Sequence, residues 1–98
     1  PLLADLRFLL FRLRRQRRML EEGRVDRFLD LSESLRSQKP ITTSPKTDQE
    51  AELLAACQDV LDGMVPLMER ALAQISRDEF ETRVSGQIQE FLAKKEEP

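Results

Sequence analysis

Apolar residues in the first third of the chain recur at the spacing of an amphipathic helix. Leucine returns at every third or fourth position, in the row Leu3, Leu6, Leu10 and Leu13. This spacing predicts a helix with a broad apolar face. Gly23 costs roughly 1 kcal/mol relative to alanine inside a helix, so the pattern allows a break after Glu22 or one helix with a weak point. We expect a slightly kinked, continuous helix from about residue 2 to residue 37.

A segment rich in proline, serine and threonine separates this helix from the next one. It spans residues 38–47 and contains Pro40 and Pro45. Proline disfavours the helical conformation in the residue before it, and serine and threonine are common in turns. The segment is therefore predicted to be a loop.

The pattern next predicts a second long helix over about residues 48–75. Thr47 can cap its amino terminus, and Glu50 stands at the reciprocal position of a capping box. Apolar residues follow at alternating three- and four-residue spacing, namely Leu54, Cys57, Leu61, Met64, Met68, Ala71 and Ile75. Pro66 lies inside this pattern and predicts a kink near residues 62–63.

A second capping box, formed by Ser76 and Glu79, predicts a last helix over about residues 77–94. Its apolar stripe consists of Phe80, Val84, Ile88, Phe91 and Leu92. These patterns together predict an all-α fold in a single domain, residues 1–98. We expect an antiparallel helical hairpin or bundle of two long helices plus a short C-terminal helix.

The charge is distributed unevenly between the two halves of the chain. Residues 1–27 hold eight arginines against four acidic residues, a net charge of +4, and residues 48–98 hold five basic against twelve acidic residues, a net charge of −7. Opposite charges attract, so antiparallel packing of the halves would pair them. The arginine run over residues 12–18 is therefore interpreted first as a solvated, charge-paired helix face. Nucleic-acid and membrane-surface binding by this run are disfavoured, and its role stays open.

Composition provides few residues for catalysis. The chain has no histidine and one cysteine, so metal sites and acid–base pairs cannot be nominated, and we expect neither an enzyme nor a cofactor. Cys57 lies on the apolar stripe and is interpreted as a small buried hydrophobe. The lone cysteine indicates a reducing compartment, and Leu2–Leu13 is too short to span a bilayer, so a cytoplasmic location is expected.

The second long helix has more apolar positions than one neighbouring helix needs. Leu53, Val60 and Leu67 form a second row beside the main stripe. A three- or four-helix bundle could bury both rows, or an exposed groove could receive a partner helix. The predicted partner-binding residues are Leu53, Val60, Met64, Leu67 and Met68. The last helix could cover that groove through Phe80, Val84, Ile88 and Phe91.

Two stretches resemble the small flagellar export chaperones of the FliT and FlgN type. "MLEEGRVDRFLDLSESL", residues 19–35, is similar to a phrase in the first hairpin of those families. "TTSPKTDQEAELLAACQDVLDGMVPLMERAL", residues 42–72, resembles the following turn and leucine-rich helix. The resemblance implies a cytoplasmic chaperone that holds the amphipathic C-terminal helix of a secreted filament-cap or hook-associated protein. It also implies that a terminal helix, here Phe80–Leu92, can cover the groove.

Two other classes of function stay open beside the chaperone. One is a structural coiled-coil or adaptor subunit, which would bury the same apolar rows in an obligate assembly. The other is an arginine-rich binder of nucleic acid or a membrane surface, whose affinity for nucleic acid would fall steeply with salt. The partner is expected to be a protein bound through an amphipathic helix, and a homodimer is also open.

Overall fold

The computed structural model describes residues 2–96, and these form five α-helices without a β-strand. The predicted all-α fold is confirmed. The helices are α1 (Leu2–Glu21), α2 (Val25–Ser34), α3 (Asp48–Ala71), α4 (Arg77–Arg83) and α5 (Gly86–Glu96).

The predicted continuous helix over residues 2–37 is wrong, because the chain reverses at Gly23. This glycine has a φ of 76°, in the left-handed region that other residues rarely adopt. Its amide donates to the carbonyl of Leu20 at 3.0 Å, and the amide of Arg24 donates to the carbonyl of Met19 at 2.8 Å. This pair of bonds is a Schellman cap. It ends α1 and allows α2 to return along it.

Cross-helix contacts fix the direction of each helix. In the returning pair, Gln16 Nε2 of α1 donates to Ser32 Oγ of α2 at 3.1 Å. Because α2 runs antiparallel to α1, α3 starts at the same end of the molecule as α1. Cys57 Sγ lies 3.8 Å from the carbonyl of Leu6 at that end. At the other end, Leu20 lines a cleft together with Leu67 and Ala71. The two long helices are therefore parallel, and the predicted antiparallel arrangement of these helices is wrong.

The amino-terminal cap of α3 follows the local prediction. Thr47 Oγ1 accepts from the amide of Glu50 at 3.1 Å. The reciprocal bond differs from the predicted capping box, because Glu50 Oε1 accepts from the amide of Lys46 at 2.8 Å rather than from that of Thr47. The helix remains intact through Pro66 and ends at Ala71 rather than at residue 75. The kink expected near residues 62–63 stays a prediction.

The predicted last helix over residues 77–94 is divided into α4 and α5. Ser76 Oγ caps α4 by accepting from the amide of Glu79 at 3.1 Å, but Val84 is extended, with φ −73° and ψ 151°. Gly86 then begins α5 so close to the segment after α2 that an added Cβ would lie 2.6 Å from the carbonyl oxygen of Gln38. The break reverses the chain, and Gln89 Nε2 donates to the carbonyl of Glu81 at 3.0 Å.

Side chains from all five helices form one apolar core. At its centre the rings of Phe28 and Phe80 stack with centroids 6.1 Å apart and planes 17° apart. This contact joins α2 to α4, while α1 packs most extensively against α3. The described chain measures 41 × 30 × 23 Å.

The ion pairs that join the acidic second half to the start of the chain reach α2, and their positive charge lies on the second half. Arg83, in the acidic second half, contacts Asp30 at 2.9 Å and Glu33 at 2.8 Å, both on α2. Arg17 instead pairs with Glu21 of its own helix at 3.7 Å. Within residues 2–96, no arginine of residues 12–18 pairs with an acidic residue of the second half. The expected charge pairing of the antiparallel halves is therefore wrong.

The glycines provide a test of this architecture. We expect Gly23→Ala to lower the free energy of unfolding by about 1–2 kcal/mol, because a left-handed conformation strains any residue with a Cβ. Gly86→Ala should cost about 1–3 kcal/mol, because the new methyl group would meet backbone. Urea unfolding monitored by circular dichroism measures both changes.

Gly63→Ala is the matched control for both substitutions. Its Cβ would meet only the end of the flexible Arg17 side chain, 2.6 Å from a guanidinium nitrogen. Since that side chain can move, we expect a neutral effect or a gain of up to about 1 kcal/mol from helix propensity. A Gly23→Ala variant as stable as Gly63→Ala would contradict the reversal at Gly23.

Candidate functional site

The predicted partner-binding row on α3 lies largely inside the bundle. Val60, Met64 and Met68 are buried, and Met64 is 0% exposed. Leu53 and Leu67 are half-buried and pack against the same core. In this arrangement the row contributes to the core, and its role in binding a partner stays a prediction.

The four residues predicted to cover a groove are also buried in this core: Phe80, Val84, Ile88 and Phe91. They lie on α4, on α5 and at the break between them. We refer to residues 77–96, which comprise both helices, as the cover. The structure thus places the cover residues in one core cluster with Val60, Met64 and Met68.

The cover packs on a different side of α3 from the one that the second apolar row indicated. A cleft of about 180 Å³ lies between α3 and the cover, and its apolar lining is Val65, Met68, Leu72, Phe80 and Leu92. Leu67 instead lines the cleft with Leu20 and Val25, at the turn between α1 and α2. The sequence analysis missed Val65 and Leu72. Both lie a helical turn or less from Met68, the spacing that could have revealed them.

Charged side chains hold the rim of the cleft beneath the cover. Lys95 Nζ of α5 lies 3.0 Å from Asp62 Oδ1 of α3, and it is also 5.4 Å from the centre of the Phe91 ring. Arg77, at the start of α4, pairs with Glu81 at 2.9 Å. These groups lie at the surface and leave the interior of the cleft apolar.

Two aromatic side chains on α1 lie in solvent, which the sequence analysis did not anticipate. Phe8 is 54% exposed and Phe11 is 64% exposed. At 100° per residue, these positions lie on the opposite side of the helix from the buried Leu6 and Leu13. The signal was present in the helical periodicity. It was masked because apolar residues nearly surround the first three turns.

A second, more polar cleft of about 350 Å³ lies beside Phe8, between α1 and the segment after α2. Arg12 lies on its wall and donates a hydrogen bond to the side chain of Gln38. Its guanidinium is 5.3 Å from the centre of the Phe8 ring, a cation–π contact. Partial burial lowers the pKa of Arg12 from its usual value. Lys39 and Asp5 line the same cleft.

The cysteine has the surroundings of a structural residue. Cys57 is 1% exposed, and burial raises the pKa of its thiol, against a smaller opposing effect from the positive charge of Arg14. A raised thiol pKa reduces the thiolate fraction and so the reactivity.

Within residues 2–96, no three histidine, cysteine or acidic side chains are grouped to hold a metal ion. No helix in that range is both long and apolar enough to cross a membrane.

Comparison with known proteins identifies no relative: no family model, curated protein or solved structure matches the chain.

The stability of the protein should depend on pH through Cys57. The thiol pKa is raised in the folded state relative to its ordinary value of 9.0. The contribution of the buried thiol to the free energy of unfolding is therefore complete below pH 9 and is lost as pH rises through the folded pKa. We expect the free energy of unfolding to fall more steeply above pH 9 in the native protein than in Cys57→Ala. Urea titrations at a series of pH values measure both slopes, and equal slopes would contradict the prediction.

The exposed and buried phenylalanines should differ sharply in their contributions to folding. Phe80→Ala should cost about 3–5 kcal/mol, because it removes a buried ring and its stacking on Phe28. Phe8→Ala and Phe11→Ala should each change the free energy of unfolding by less than about 0.5 kcal/mol, the usual range for surface positions. Urea unfolding of the three variants checks this, and a large loss at Phe8 or Phe11 would show that these rings stabilise the fold.

Proposed function

We propose that the protein is a non-enzymatic helical binding protein that holds an amphipathic helix of another protein. Its binding surface is the face of α3 beneath the cover, formed by Val65, Met68 and Leu72. A cytoplasmic export chaperone of the flagellar type would use such a surface to hold a secreted client. The resemblance of residues 19–35 and 42–72 to those chaperones motivates this class.

The observation that carries the proposal is the apolar cleft between α3 and the cover. The cover consists of helices of seven and eleven residues, which are too short to be stable in water without packing. They follow α3 through a largely exposed turn, residues 72–76. The most extensive helix packing lies outside the cover, between α1 and α3. Release of the cover would therefore leave that contact in place.

The polar contacts that hold the cover are individually modest, so most of its attachment comes from the burial of its four apolar side chains, Phe80, Val84, Ile88 and Phe91. Arg83 bonds to Asp30 and Glu33, and Lys95 pairs with Asp62, but all three acidic side chains are exposed. Surface ion pairs contribute about 0–1 kcal/mol each. The stacking of Phe80 on Phe28 adds about 0.5–1.5 kcal/mol beyond the burial of its area. Opening exposes the apolar face of α3, and an amphipathic partner helix would bury that face again.

Site-specific photo-crosslinking in a lysate of the producing cells tests this proposal. A photoreactive residue at Val65 should form a covalent adduct with a partner, and the crosslinked peptide should have the pattern of an amphipathic helix. A photoreactive residue at Leu67 is the matched control, because Leu67 is also half-buried on α3 but lines a different cleft. Equal adducts at both positions, or none at Val65, would contradict binding beneath the cover.

Weakening one tie of the cover gives a second test. Arg83→Ala removes the bonds to Asp30 and Glu33, which contribute up to about 2 kcal/mol together, so the open population and the adduct yield at Val65 should rise by up to about 25-fold. Arg15→Ala is the control, since Arg15 is exposed on α1 and no acidic side chain within residues 2–96 pairs with it. An adduct between two copies of the chain at Val65 would instead favour the structural-subunit class.

A further inference from the structure

The outward face of α1 has an unusual composition for the surface of a helical bundle. At 100° per residue, seven exposed residues of α1 lie opposite the buried leucines: Ala4, Arg7, Phe8, Phe11, Arg14, Arg15 and Arg18. We call this set the arginine–phenylalanine face. Along α1 it contains no carboxylate, although exposed helix faces usually mix both signs of charge. Glu22 follows α1 on the same side and pairs with Arg24 at 3.3 Å. Its two rings are exposed by more than half.

The positive charge of this face is not neutralised within the described structure. Among residues 2–96, no acidic side chain lies within 4.0 Å of the guanidinium groups of Arg7, Arg14, Arg15 or Arg18. The nearest acid beyond the run, Glu21, pairs with Arg17 instead. Four like charges therefore surround two exposed aromatic rings.

We propose that the arginine–phenylalanine face docks on a membrane surface that contains anionic phospholipid. Phe8 and Phe11 would enter the boundary between headgroups and acyl chains, and the arginines around them would contact lipid phosphates. Aromatic rings and basic side chains on one helix face are the combination that interfacial binding requires. The leucines of α1 stay in the core, so the helix binds without leaving the bundle.

Charge and shape favour a lipid surface over a second copy of the chain, an RNA or a protein partner. A second copy of the chain docked through the same face would place one arginine row against another. An RNA would need free ring faces for base stacking, but the Arg12 guanidinium covers one face of Phe8. A protein partner would need to enclose a convex ridge to exclude water from around the two rings. A lipid surface deforms around such a ridge and supplies negative charge along its whole length.

Vesicle sedimentation with the full chain tests the proposal. The protein should sediment with phosphatidylcholine vesicles that contain phosphatidylserine and stay in solution with phosphatidylcholine alone. Added salt should weaken the binding, because exposed charges are screened. Each arginine near an anionic surface contributes about 1 kcal/mol, or about fivefold in affinity. Arg14→Gln/Arg15→Gln should therefore weaken binding about 25-fold.

A charge-matched variant distinguishes the effect of this face on vesicle binding from the effect of the net charge. Arg27→Gln/Arg70→Gln removes the same charge from exposed positions on α2 and α3, and it should keep affinity within about twofold of the native protein. Phe8→Ala/Phe11→Ala should lose binding while its circular dichroism spectrum and unfolding midpoint stay native.

Three results would overturn the proposal: equal losses in the two arginine variants, unchanged binding without the rings, or equal binding to uncharged vesicles. Binding of single-stranded RNA in place of vesicles would assign the face to nucleic acid. The photo-crosslinking at Val65 tests the cleft between α3 and the cover, which is a different surface from the outward face of α1. Its outcome and the outcome of the vesicle experiment are therefore independent.

Discussion

The left-handed conformation of Gly23 is the constraint on which the rest of the structure depends. A continuous helix over residues 2–37 would be about 54 Å long at 1.5 Å per residue, whereas the longest dimension of the molecule is 41 Å. Reversal at Gly23 returns Phe28 and Leu29 to the leucine face of α1, where both are fully buried. It also sets the direction of α3, because α2 has already provided the return pass.

This topology determines which charges meet. With α1 and α3 parallel, the pairing expected between an arginine-rich half and an acidic half does not form among residues 2–96. The ion pairs between α4 and α2 instead run from Arg83 to two carboxylates, those of Asp30 and Glu33. The outward arginines of α1 remain in solvent, together with Phe8 and Phe11. Within residues 2–96, a bundle that buries leucines efficiently has thus left one strongly basic, aromatic face without an ion-pair partner.

The two surfaces proposed for binding differ in how they are presented. The face beneath the cover is part of the core and becomes accessible only if α4 and α5 move, so its availability depends on a local opening equilibrium. The arginine–phenylalanine face of α1 is accessible in the folded state and requires no rearrangement. A ligand of the first surface would compete with the protein's own helices, whereas a ligand of the second would compete only with water and salt.

The sequence by itself determined the features that depend on neighbouring residues. Both amino-terminal caps formed where Thr47 and Ser76 predicted them, because a cap joins a side chain to a backbone amide three residues away. The loop around Pro40 was likewise predicted, since proline restricts the residue before it. The all-α class followed from the apolar periodicity, which a chain rich in leucine and poor in β-branched residues supports.

Only the tertiary structure decided how these helices are arranged. A glycine inside a helix and a glycine in a cap differ locally by about 1 kcal/mol, so packing against α2 had to select the reversal at Gly23. The dipeptide Ser85-Gly86 is only a weak local signal for the break after Val84. The break coincides with the close approach of Gly86 to the carbonyl of Gln38, 48 positions away. The exposure of Phe8 and Phe11 has the same origin. The apolar face of α1 is broader than its neighbours can cover, and long-range contacts chose which residues were left outside.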